Sequence, residues 1–155
     1  MVHPPQPVAD FLNAKRIAVA GVSRDRSQPA NLIFRRLRET GHEVVAINPK
    51  TTDVEGQRCY PSLAAVPDPI DAVMIVTPPG ASADVVHQAA DRGVRTVWFH
   101  RSFGDGSVSP EALVACSTHG IEPIVGGCPM MYCGNVDVGH KCFRWWLGFR
   151  GKLPV

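Results

Sequence analysis

The chain of 155 residues fits one domain with its own core. Its apolar share of 45% and charged share of 19% are those of a globular protein and exclude a disordered or fibrous chain. A net charge of +2 without a clustered basic patch speaks against nucleic acid, and no run reaches the roughly 20 apolar residues of a membrane helix.

Residues 1–7 read as a loose, proline-rich leader without the apolar stretch of a signal peptide, so a cytoplasmic location is expected. The five cysteines (Cys59, Cys116, Cys128, Cys133 and Cys142) are odd in number and lack an export signal, which points to free thiols. Residues 8–14 read as a short helix. Residues 17–21 are a brief apolar run ending in glycine, the pattern of a strand buried on both faces. Similar runs follow at 43–47, 71–76 and 94–99, with a weaker one at 121–125 and a short extra strand around 56–60. Helical patterns fill 30–40, 81–92 and 110–119, stopped by Gly41, Gly93 and Gly120. Strands alternating with helices imply βαβ crossovers. The expected fold is α/β: a single Rossmann-like domain with an open parallel sheet of about five to six strands and helices on both faces. Residues 126–139 read as loop, and a terminal helix is expected at about 140–150.

In such a sheet a ligand binds beyond the carboxyl ends of the strands, where strand order reverses. The segments just after the strands are therefore the candidates. After the first strand stand Gly21, Val22, Ser23, Arg24 and Asp25, followed by Arg26 and Pro29. Gly21 permits a tight turn, Pro29 suits a helix start, and the hydroxyl and guanidinium groups suit phosphate at a helix N-terminus. The turn lacks the GxGxxG fingerprint, because Ser23 and Arg26 hold the second and third glycine positions. After the second strand come Asn48, Pro49 and Lys50, where NAD proteins carry an acidic residue. Lys50 suits a phosphorylated ribose, which leaves NADP and coenzyme A as candidates. After the third long strand, Thr77, Pro78 and Pro79 form a stiff wall without N–H donors on the prolines, suited to an adenine face or a pantetheine arm. Phe99 ends the fourth, before His100, Arg101 and Ser102, which either contact a ligand or turn the chain.

Five pieces in this order resemble the CoA-binding domain family, whose relatives include the amino-terminal domain of the succinyl-CoA synthetase α subunit and stand-alone CoA-binding proteins. They are IAVAGVS at 17–23, VVAINPK at 44–50, VMIVTPP at 73–79, TVWF at 96–99 and GGCP at 126–129. The resemblance covers roughly residues 10–133. It implies phosphate contacts at Ser23, Arg24 and Asp25, a lysine contact at Lys50, and a ligand wall at Thr77, Pro78 and Pro79. Its implied ligand is coenzyme A or an acyl-CoA. The synthetase's phosphorylated histidine lies in a second domain, and none of this chain's six histidines stands in its place. A binding module without catalysis of its own is therefore expected. The alternative is an NADP- or CoA-dependent enzyme subunit completed by a partner chain.

Cys128, Cys133, His140 and Cys142 lack the tight Cys-x2-Cys pairs usual in structural zinc sites, so no metal is expected. Cys128 should face the ligand edge of the sheet, within reach of a coenzyme thiol. The aromatic segment with Phe143, Trp145, Trp146 and Phe149 packs on the sheet or forms a homodimer or partner surface.

Overall fold

A computed structural model describes residues 3–101 and 106–133. The expected terminal helix and its partner surface, with His140 and Cys142, lie outside the described residues, as does Ser102. In chain order the elements are α1 (Gln6–Leu12), β1 (Arg16–Ala20), α2 (Pro29–Glu39), β2 (Glu43–Ile47), β3 (Asp53–Val54), β4 (Gln57–Tyr60), β5 (Ala72–Ile75), α3 (Pro79–Asp91), β6 (Thr96–Phe99), α4 (Pro110–Thr118) and β7 (Ile124–Val125). Two 3-10 turns, Leu63–Ala65 and Pro129–Met131, complete them.

The strands form one sheet in the order β3-β4-β2-β1-β5-β6-β7. All pairings are parallel except β3 with β4. The count is seven rather than five to six. The addition is β3, whose two residues make too short a run to show a strand period. It turns back into β4 through Glu55 and Gly56, both at positive φ, a two-residue loop of the kind that matches strand twist.

Each central strand divides its side chains between two apolar layers, as a period of two demands. Ile17, Val19, Ala72, Met74 and Trp98 face the layer of α1 and α2, with Phe11, Ile33, Phe34 and Leu37. Ala18, Ala20, Val73, Ile75, Val97 and Phe99 face the layer of α3 and α4, with Val85, Val86, Ala89, Ala112 and Ala115. Trp98 anchors the first layer. Its ring meets Phe11 edge-on at 5.1 Å, and its Nε1–H donates to the Gly126 carbonyl at 2.9 Å. This satisfies the one polar atom of a fully buried side chain.

Candidate functional site

From β1 the chain passes through α2 to β2 on one side, and it later returns to place β5 on the other side of β1. The reversal point is therefore the gap between the ends of β1 and β5. There Gly21 adopts a φ of +106°, and a Cβ at this position would lie 2.6 Å from the Val76 carbonyl oxygen. The expected tight turn is present, and the close approach is to the neighbouring strand exit. A cleft of about 710 Å³ opens at this edge, lined by the ends of β1, β2, β4, β5 and β6 and by the starts of α2 and α3.

The first wall is braced from beneath. Asn31, fully buried in the first turn of α2, accepts the Ser23 N–H at 3.0 Å and donates to the Ser23 carbonyl at 2.8 Å. Its amide also donates to Glu55 at 2.9 Å. The Glu55 carboxylate is only 2% exposed and takes Arg35 at 2.6 Å and Arg26 at 3.4 Å. Burial opposes its charge, but Asn31 and the two guanidinium groups more than offset this and hold its pKa below the ordinary carboxylate value. Asp25 closes the turn above, accepting from the Ser27 N–H and hydroxyl and from Gln28. Those bonds hold its carboxyl at about 2.

The second wall is tied to the first by Asn48, whose amide donates to the Val22 carbonyl at 2.9 Å and accepts the Lys50 N–H at 2.9 Å. On the third side, the Thr77 and Ser82 hydroxyls bond at 2.9 Å. Pro78 caps α3 and Pro79 is its first residue. The stiff wall is thus one proline deep, because the second proline already belongs to the helix.

Of the residues singled out in the sequence, Gly21, Ser23, Asn48, Pro49, Lys50, Thr77 and Pro78 line the cleft together. Val22 and Phe99 are fully buried, in opposite layers of the core. Arg24 turns into a neighbouring hollow, and Asp25 and Pro79 stand outside the lining. Lys50 is the one cation among the described lining residues. The cleft also takes in Pro61, just after β4, and Ser107, in the segment after β6, together with Asp84 and Gln88, which no strand-end argument selects. Gln88 bonds Asp84 at 2.7 Å and accepts the Leu63 N–H at 2.9 Å, fastening the 3-10 turn to α3. His100 lines the cleft as well, and burial pushes its pKa down to about 4. The expectation for Cys128 is corrected. It is 4% exposed, packs in the α1–α2 layer and does not line the cleft. Burial, with a smaller contribution from Cys133, raises its thiol pKa to about 12.

No helix among the described residues is long and apolar enough to cross a membrane. The chain is similar to an ADP-forming acetate–CoA ligase of Archaeoglobus fulgidus, 28% identical over 88 residues, which are 56% of this chain and 13% of the ligase. It therefore spans only a small part of that relative's length. Among solved structures it is similar to a hypothetical protein from Pyrococcus horikoshii, with a TM-score of 0.73 at 28% identity, covering 83% of this chain and 92% of the other. It also resembles part of a dinucleotide-forming acetyl-coenzyme A synthetase of Candidatus Korarchaeum cryptofilum, with a TM-score of 0.65 at 27% identity, covering 76% of this chain and 26% of the synthetase. The CoA binding domain family matches residues 15–134, all of the cleft lining included, and the chain belongs to that family.

Proposed function

We propose that this chain binds coenzyme A or an acyl-CoA in the cleft at the carboxyl edge and catalyses no reaction alone. The observation that carries the reading is the lining itself. Gly21 and Ser23, Lys50, and Thr77 with Pro78 come from three separate strand exits and meet around one space. Helices α2 and α3 both start there, each with no side-chain cap on its first turn. Their N–H groups and dipoles favour phosphate, and Lys50 supplies a full charge. The exit of β2 offers no carboxylate for free ribose hydroxyls, which disfavours NAD. The free, buried thiols Cys59, Cys116, Cys128 and Cys133 support a cytoplasmic setting.

Calorimetry with coenzyme A, NADP and NAD tests the reading. Coenzyme A should bind tightest, and NAD binding of equal or greater strength overturns it. The similarity to a small part of an acetate–CoA ligase favours a second reading, in which the chain supplies the coenzyme site of a complex completed by a partner. Turnover of acetate, ATP and coenzyme A by the purified chain would contradict both the binding module and the incomplete subunit. Turnover that appears only with a co-purifying chain would select the second reading.

A further inference from the structure

Coenzyme A carries two separate anionic groups, a pyrophosphate and a monoester on the ribose, the latter with a charge of about −1.5 to −2 at neutral pH. The described lining of the cleft offers one cation, Lys50, and sets the carboxylate of Asp84 against it. His100 adds no charge near neutrality, since burial holds it in the neutral form down to about pH 4. Helix starts help one phosphate group, but their effect falls off within the first turn. The second anionic group needs cations of its own.

They stand next door. Arg24 and Arg26 line a hollow of about 490 Å³ together with Asp53, Val54, Glu55 and Gly56. The hollow adjoins the cleft mouth through Arg24, whose Nε–H donates at 3.2 Å to the hydroxyl of Thr51, the residue after Lys50. Of the two carboxylates in its lining, Glu55 is already answered, held at 2.6 Å by Arg35 from outside the hollow. Asp53 is exposed and stands opposite Arg58 in the β3–β4 ladder, without an ion pair among the described residues. Asp53 also accepts from the Thr52 hydroxyl at 2.8 Å. Arg26 leans on Glu55 at 3.4 Å with its side chain still 73% exposed, so most of its guanidinium fork stays open. The fork is nonetheless placed, because Glu55 is fixed at a φ of 49° beneath the turn. A non-glycine residue at positive φ costs free energy that the surroundings must offset. Here the offset is the buried carboxylate network that reaches Ser23 through Asn31.

Resting on the coenzyme reading, we propose that the Arg24–Arg26 hollow is the seat of the ribose phosphate monoester, while Lys50 inside the cleft meets the pyrophosphate. The division fits the side chains. A planar guanidinium fork pairs bidentately with a terminal phosphate, and an ammonium serves as a compact charge against a bridged diphosphate. It also moves the ribose phosphate away from Lys50, where the sequence alone placed it.

The test is calorimetric titration of the wild type and of Arg24→Ala, Arg26→Ala and Lys50→Ala with coenzyme A and with dephospho-CoA, which lacks only the monoester. Each arginine variant should lose about tenfold or more for coenzyme A, the scale of a charge-assisted hydrogen bond, and less than about twofold for dephospho-CoA. Lys50→Ala should weaken both ligands alike. Arginine losses that are equal for the two ligands, or absent, overturn the seat. A wild type that binds both ligands equally also overturns the seat and leaves the coenzyme reading standing. A wild type that binds neither overturns the reading and the seat with it. Arg24 is exposed and outside the core, so Arg24→Ala should melt like the wild type. Arg26→Ala also removes one of the two guanidinium partners of Glu55, so it is read by its ratio of coenzyme A to dephospho-CoA affinity, with unfolding curves as the check.

Discussion

Both edges of the sheet carry polar groups, and they use them in different ways. At the amino edge several of the groups satisfy one another. Lys15 and Arg16 both pair with Glu43, and the Arg16 N–H donates to Asp71 at 2.9 Å. A hollow of about 430 Å³ lies there too, lined by Gln6, Asp10, Arg95 and Glu122 among others. Yet Gln6 bonds Asp10 at 2.7 Å, and Arg95 reaches the His119 carbonyl at 2.5 Å, just beyond the end of α4. At the carboxyl edge the turns are equally well bonded within themselves, but Lys50 keeps its ammonium without a partner among the described residues. Helix starts face this edge and helix ends face the other, so the field alone favours anions on one side only. A hollow becomes a site when its charges are left over after the fold has used what it needs.

The glycines sharpen this contrast most. Gly21 at the carboxyl edge and Gly41 at the amino edge both have positive φ, but a Cβ would meet backbone only at Gly21, and nothing within 4 Å at Gly41. Gly21→Ala should destabilise the fold by about 3 kcal/mol, combining backbone strain with a steric clash. Gly41→Ala should cost only about 1 kcal/mol. Denaturant midpoints check both, and equal losses would remove the special status of the strand exit.

Lys50→Ala should weaken coenzyme A binding by about 1.5–3 kcal/mol. Arg95→Ala, at the opposite edge, should leave binding unchanged. A similar loss from Arg95→Ala would mean that general charge, rather than the cleft, governs affinity.

His100 predicts an acid limb in stability. Its folded-state pKa of about 4 lies below the ordinary 6.5, so the fold favours the neutral ring. The stabilisation is therefore present above pH 6.5 and is lost as pH falls toward 4, where the unfolded chain takes up the proton first. His100→Gln should flatten the curve within that window. An unchanged slope would show that the ring is already protonated or exposed in the folded protein.

The smallest effect expected is none. Cys128, with its thiol pKa raised to about 12, should stay unmodified when the folded protein meets oxidised coenzyme A, and react once it is unfolded. Peptide mapping would show this. Prompt labelling of Cys128 would return it to the cleft.

Most of the sheet was legible because its strands are apolar runs and three of its helices are stopped by glycine, signals that a parallel sheet buried on both faces must produce. The strand ends yielded Gly21, Ser23, Asn48, Lys50, Thr77 and Pro78 because strand exits converge by topology. Phe99 and Val22 failed that rule for a local reason. Phe99 still obeys the strand alternation and points into the α3–α4 layer, while Val22 dips back into the core before the turn opens at Ser23. Asp84 and Gln88 gave no signal, since they reach the cleft from one face of α3 rather than from a strand end. The tie from Asn31 to Glu55 was hidden because it links an ordinary helical position to a hairpin turn 24 residues away.

The Asn31 side chain pairs with both the N–H and the carbonyl of Ser23, as an adjacent peptide unit would. It thereby supplies a β-type pairing three residues past the end of β1, with no additional strand. The segment from 24 to 27 thus hangs between two fixed posts, Ser23 on that amide and Gln28 at the start of α2. Its one side-chain tie to the buried network is the Arg26 pair with Glu55. A protein built this way can exchange the contents of one loop, and with them its preference among anionic ligands, while its two apolar layers stay the same.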